Sequence, residues 1–295
     1  MPLTIPSPLT RLYSYFPLLV ISTPDTTTPA PSLPTLWVLG PPPGGQLESL
    51  DPLCRKSQAL LRFKQIKFET KWLQDSKDGT PGNSLPCLHL GNGDLLDTQS
   101  VNKWINSKSS NETENKQEEE EEEVIDDDPI VQAYTSLVET TLLPSVISAL
   151  YLTPSTTIPV TPLKTSLPFL SNLVDQYLSV SRREEKINQV KLMRGGKIGK
   201  KTGVVLDLEE IERDAVETLE VLEDKLKEVQ QAGEKEKEKE KWFLGNKLPS
   251  QLDGLIYSLL SIISILPEQS QSGLLRKTLD KRCPSLTKWY KSLEP

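Results

Sequence analysis

Histidine is nearly absent: His89 is the only one in 295 residues, and that scarcity removes whole classes of chemistry. Ser-His-Asp triads, His-rich zinc sites and HExxH helices each need an imidazole at a set place, and one residue cannot serve them all. Cysteine is scarce and scattered. Cys54, Cys87 and Cys283 are odd in number and form no C-x-x-C pair, which excludes a disulfide framework and a thiolate metal cluster and favours a reducing compartment. Positive charge is also in deficit. A formal charge of -7 argues against a general nucleic-acid binder and against electrostatic adhesion to an anionic bilayer. No metal ligand set, cofactor motif or catalytic residue is assigned.

Long apolar runs are missing too. The longest, Leu252 to Leu266, has 15 residues, including Asp253, and is shorter than the roughly 20 that a bilayer-spanning helix needs. It reads as a buried central helix. Apolar residues make up 36% of the chain, low for a globular protein, so some segments lie outside any core. Length alone suggests about two domains.

Proline, by contrast, is concentrated. Eleven of the 24 prolines precede residue 44, and between Met1 and Pro34 only Arg11 and Asp25 are charged. Proline blocks helix and removes amide donors, so residues 1–34 form an irregular arm. Leu9, Leu12, Tyr13, Phe16, Leu18 and Leu19 within it make an apolar cluster that needs a partner surface. Pro17, a single basic residue and the lack of a small-x-small site weigh against a secretory signal. One arginine also cannot make a mitochondrial presequence.

Residues 35–107 read as a small α/β unit. Leu36 to Gly40 is a buried strand stopped by Pro41-Pro42-Pro43-Gly44-Gly45. Asp51-Pro52 then caps a helix carrying Leu53, Ala59, Leu60 and Phe63. Ile66 to Leu73 alternates like a half-buried strand, and two short strands, Leu88 to Leu90 and Leu95-Leu96, flank the Gly91-Asn92-Gly93-Asp94 turn. Val101, Trp104 and Ile105 close the unit with a helix. Residues 108–128 carry eleven acids, a self-repelling block read as a disordered linker, with an acidic receptor for basic presequences as the sharper alternative. The sequon Asn111-Glu112-Thr113 inside it matters only in a secreted chain.

From residue 129 to 295 the period is helical. Asp128 caps a helix through Ile130, Val131, Tyr134, Leu137, Val138 and Leu142; a second is predicted over Pro168 to Lys191; a third starts at Asp207. Segments near 193–204 and 233–241 are rich in Gly/Lys or Glu/Lys and read as solvated insertions. Gly195 to Gly203 imitates a phosphate loop, but Lys201 stands where Ser or Thr is required and no strand precedes it. Ser250, with Asp253 three residues on, makes a capping box that pins the start of the apolar helix. This box resembles the one in the C-terminal domain of glutathione transferases.

Pro86, after a Gly/Asn/Ser loop and directly before a strand, sits where thioredoxin-like folds place a cis-proline. In glutathione-using members of that fold, the residue before that proline and an acidic-hydroxyl pair after the last strand hold the tripeptide. Leu85 and Asp97-Thr98 occupy those positions here. The reactive residue is harder to find: no Tyr lies between Leu36 and Phe63, Ser49 is in a loop, and Cys54 lies inside a helix with no basic group placed to make a thiolate.

Leu36-Trp37-Val38, Ser49 to Cys54 with Gln58, Ser84-Leu85-Pro86, Val101 to Ile105 and Trp242 to Asp253, taken in order, resemble the metaxin family over Thr35 to Lys291. The arm Pro6 to Leu18 is similar to the start of its smaller fungal member in the mitochondrial sorting and assembly machinery. The resemblance implies a glutathione-transferase-like fold without transferase chemistry: a thioredoxin-like domain followed by an all-helical domain. It further implies a peripheral protein on the cytosolic face of the mitochondrial outer membrane. Its implied partners are the barrel-forming core subunit, the other metaxin-like subunit and β-barrel precursors, with membrane contact mainly through partners. Leu12, Tyr13, Phe16 and Pro17 are the expected partner-binding residues, and Pro86, Ser250 and Asp253 the structural ones. Two alternatives stay open: a glutathione-dependent transferase or reductase, and the larger metaxin-like subunit.

Overall fold

A computed structural model describes residues 33–40, 47–73, 80, 84–111, 126, 128–152, 183–194, 206–236, 242–246, 248–267 and 273–294. The arm residues Leu12, Tyr13, Phe16 and Pro17, most of the acidic tract and the Gly/Lys loop lie outside the described residues. Four strands, β1 (Thr35–Leu39), β2 (Glu69–Leu73), β3 (Cys87–His89) and β4 (Leu95–Leu96), form one mixed sheet in the order β2-β1-β3-β4. β1 runs parallel to β2 and antiparallel to β3, with Trp37 opposite both Lys71 and Cys87. Leu36, Val38 and Leu88 turn one face of the sheet toward the helices and are fully buried. The strict alternation of a strand places these three together.

Helix α1 (Pro52–Phe63) crosses between β1 and β2, as a parallel pair requires. Helix α2 (Thr98–Asn111) follows β4 and runs four residues into the acidic tract read from sequence as linker. That tract is tied down at its far end as well, because Asp126 accepts bonds from Asn106 Nδ2 (2.6 Å) and from the backbone N–H of Gln251 (2.9 Å).

The remaining described residues are mainly helical. α3 (Pro129–Leu137), capped by Asp128 as expected, continues through a π-helical turn (Val138–Leu142) into α4 (Leu143–Tyr151). Helix α5 spans 183–193, so the start of the helix predicted over Pro168 to Lys191 falls outside the described residues. Its end does not match the expected insertion: Met193 packs on the helical core, and Arg194 pairs with Asp214 at 2.6 Å. Helix α6 (Leu208–Glu236) also overruns the Glu/Lys segment expected to begin at Gly233. Alternating acids and lysines are good helix formers, and their charge does not stop propagation of a helix already begun.

Helices α7 (Gln251–Ile265), α8 (Gly273–Arg282) and α9 (Pro284–Ser292) follow. α7 is its buried axis. Ser258, Ser261 and Ser264 return their hydroxyls to the carbonyls of Leu255, Ser258 and Ser261, so an apolar environment leaves no donor stranded. Glu223 of α6, nearly inaccessible, accepts the backbone N–H groups of Ser285 and Leu286 and thereby caps α9 from a neighbouring helix.

Two apolar cores meet at α1. Cys54, Leu60 and Leu61 pack beneath the sheet, while Leu53, Ala59 and Phe63 join the core of the helical domain. Its polar residues from Arg55 to Gln58 are therefore enclosed, each less than a tenth exposed. Among the described residues no helix is long and apolar enough to cross a membrane.

Candidate functional site at the start of helix α1

The C-terminal end of β1 delivers the chain to the start of α1 beside the strand that begins after Pro86. Leu85-Pro86 is a cis peptide, matching the position that sequence singles out. Thr98 Oγ1 donates to the carbonyl of Pro86 (3.1 Å) and lies 3.2 Å from Ser84 Oγ. Asp97 Oδ1 accepts the N–H of Ser100 (2.8 Å), and those Ser100 bonds hold its carboxyl below the ordinary value. The acidic-hydroxyl pair is thus used in joining the β3 entry to α2.

The start of α1 is equally committed. Asp51 Oδ1 accepts the N–H groups of Leu53 and Cys54, at 3.1 and 3.2 Å, which are the donors a helix start would offer an anion. Its other oxygen holds Lys186 of α5 at 3.2 Å, and Lys186 lies over the Tyr151 ring. Burial would depress that amine, but Asp51 and Tyr151 outweigh it and raise it. Ser49 donates its hydroxyl to the carbonyl of Leu39 (2.6 Å), and Gln58 Oε1 accepts the N–H of Ser49 (2.9 Å). Cys54 is fully buried, and burial followed by the Asp51 charge pushes its thiol well up, the opposite of an activated nucleophile.

On another side of α1, Glu48 takes the Nε and Nη2 groups of Arg55 (2.7 and 2.5 Å) and also pairs with Arg62. Tyr257 of α7 donates to the same carboxylate at 3.3 Å. Burial would raise Glu48, yet the two guanidinium groups outweigh it and lower its pKa. Sequence reasoning missed this cluster. The spacing of Arg55 and Arg62, two turns apart on one helix face, was the available signal.

Ser250 and Asp253 form the expected capping box, and Asp253 also accepts the N–H of Phe243 at 2.7 Å. The box thus fastens the Trp242-Phe243 turn to the start of α7. His89 is half-buried on β3 opposite Thr35. A surface cleft of about 580 Å³ opens at the other end of the sheet, between Pro34, Ile66, Leu90 and Trp104, with Lys67 and Lys108 at its rim. Among the described residues no group of three or more His, Cys, Asp or Glu could hold a metal.

A family model of the glutathione S-transferase N-terminal domain matches residues 52–156. The glutathione transferase GSTFuA3 from Phanerochaete chrysosporium is 15% identical, with a TM-score of 0.53 over 89% of this chain and 97% of its own. GSTFuA2 from the same fungus is 13% identical with a TM-score of 0.53, covering 90% of this chain and 99% of its own. Ure2p, solved in complex with glutathione, gives 13% identity and a TM-score of 0.50 over 88% and 93%. No curated protein matches in sequence. The chain therefore has a glutathione-transferase-like fold: a thioredoxin-like α/β domain followed by a helical domain.

Proposed function

We propose that this protein is a non-catalytic adaptor of the metaxin kind, a peripheral subunit on the cytosolic face of the mitochondrial outer membrane that helps receive and assemble β-barrel precursors. Its partners in this reading are the barrel-forming core subunit, the second metaxin-like subunit and the precursors. The observation that carries the reading is the closed start of α1. Asp51 consumes the free amides, Ser49 is bonded to Leu39, and Cys54 is buried with a raised pKa. A transferase of this fold needs an accessible group there to lower the pKa of a bound thiol or attack through its own. The ordered resemblance over Thr35 to Lys291 supplies the cellular setting. It gives the apolar arm residues Leu12, Tyr13, Phe16 and Pro17 a docking role on the barrel subunit.

Carbonate extraction of mitochondria followed by native co-purification tests the reading. The protein is expected in the extractable fraction and in one complex with a membrane β-barrel, and removal of residues 1–20 should reduce recovery of that complex. Recovery as a free protein would refute it. The cis-proline and the Asp97-Thr98 pair favour glutathione-dependent chemistry as the second reading. Retention on immobilised glutathione, together with turnover of a generic electrophile, would establish that reading.

A further inference from the structure

Among the described residues, the charges around Glu48 do not balance. Two guanidinium groups, Arg55 and Arg62, share one carboxylate, and Tyr257 adds no formal charge, only its hydroxyl and a ring face 5.8 Å from Arg62 Cζ. Arg55 is enclosed, with its side chain 9% exposed, and Glu48 is 15% exposed. An uncompensated charge in such a place is costly, because neither water nor a counter-ion screens it well. Arg55 gives Nε and Nη2 to Glu48, while its Nη1 is buried and has no hydrogen-bond partner among the described residues. Arg62 spends Nε on the carbonyl of Gln58 at 3.4 Å, and its side chain stays 29% exposed. The cluster thus joins an unsatisfied buried donor to an arginine that reaches the surface.

We propose that Arg55 and Arg62, braced by Glu48 at the junction of α1 and α7, form an anion site that takes a carboxylate. Among the described residues the charge surplus is one unit, which a carboxylate neutralises and a doubly charged phosphate would exceed. A guanidinium also presents paired N–H groups that match the two oxygens of a carboxylate. Leu47, the residue before Glu48, is 86% exposed, so the surface beside the cluster offers an apolar contact. A carboxylate next to an apolar side chain fits both features. The site is independent of the adaptor reading and does not use Ser49, Asp51 or Cys54.

Calorimetric titration of the full chain tests it with two probes. Sodium acetate, compared with sodium chloride at equal ionic strength, reports a free carboxylate. The blocked tripeptide N-acetyl-Leu-Glu-Leu-amide, compared with its Gln analogue, reports an acidic side chain of another protein. Saturable binding of either carboxylate probe, with none for its control, is expected, and the tighter probe identifies the source. Arg62→Gln leaves the Arg55–Glu48 pair intact and should weaken binding about tenfold, the scale of one charge-assisted hydrogen bond. Glu48→Gln removes the internal competitor and should tighten binding by a similar factor. If Glu48→Gln fails to fold by circular dichroism, the Arg62→Gln comparison decides alone. Absence of saturable binding to the unmodified chain, or equal binding by the folded Arg62→Gln variant, overturns the proposal.

Discussion

Replacing Gly254 by alanine tests how tightly the two domains are joined. Gly254 lies in the first turns of α7, and a Cβ there would sit 2.5 Å from Leu60 Cγ and 2.8 Å from Leu60 Cδ2. Carbon atoms pack favourably at about 3.5–4.0 Å, so one of the two helices has to yield by roughly an ångström. Leu60 cannot turn away, because it is 1% exposed beneath the sheet and the contact falls on its branch point. Alanine gains about 1 kcal/mol over glycine in a helix interior, while overpacking typically costs about 1–3 kcal/mol. With the contact at the branch point of a buried side chain the cost belongs at the upper end, for a net loss of about 1–2 kcal/mol. Urea unfolding followed by circular dichroism measures this. A double-mutant cycle then locates the cause: Leu60→Ala alone should cost about 2–5 kcal/mol, and Gly254→Ala added to it should cost at least about 0.5 kcal/mol less than in the unmodified protein. A Gly254→Ala protein as stable as the parent, or two strictly additive losses, would refute the close approach of α1 and α7.

Asp51→Ala should lose about 1 kcal/mol for the helix cap, plus a further loss for leaving Lys186 buried and unpaired; Lys186→Met in that background should restore part of it in a thermal unfolding scan. Glu48 has a folded pKa below the ordinary 4.5, so its contribution is present in full above that value and drains away as pH falls through the folded pKa. Unfolding midpoints measured from pH 7 to pH 3 should therefore show an acid limb that Glu48→Gln flattens, with the variant less stable at neutral pH. Cys54, Cys87 and Cys283 are all buried, and burial raises each thiol, so iodoacetamide at pH 8 should modify none of them until denaturant is added. Rapid labelling of Cys54 in the native protein, seen by peptide mass spectrometry, would contradict the closed start of α1.

Local signals served well where neighbouring residues alone decide the backbone. Asp51-Pro52, Asp128-Pro129 and Ser250 with Asp253 each mark a helix start, because a cap is made within four residues. The Asn92-Gly93 turn and the alternation around Trp72 likewise place β2 to β4 to within a few residues. Helix ends were less legible. Nothing in the charge pattern stops α2 at Lys108 or α6 at Gly233, and α8 has too little periodicity to stand out beside the apolar α7, whereas Pro284 and the apolar face of Leu286, Trp289 and Tyr290 were an available signal for α9. At the candidate site, Cys54, Asp97-Thr98 and Pro86 were all named from sequence, but their commitments were not. Lys186 lies 135 residues from the Asp51 that it pairs with, and Tyr257 209 residues from Glu48.

Composition and periodicity by themselves determined that this chain is short of histidine and free cysteine pairs, that it has an α/β part followed by a helical part, and where the helices α1, α3, α6 and α7 begin. Those properties follow from dihedral preference, hydrogen-bond capping and the spacing of apolar residues, all of which act over a few positions. Only the tertiary structure decided that α1 is enclosed on its polar side, that Asp51 answers to a lysine from α5, and that two arginines share one glutamate at the domain junction. Burial and electrostatic pairing depend on which distant segments arrive at the same place, and the cost of a charge is set by its surroundings rather than by its residue type.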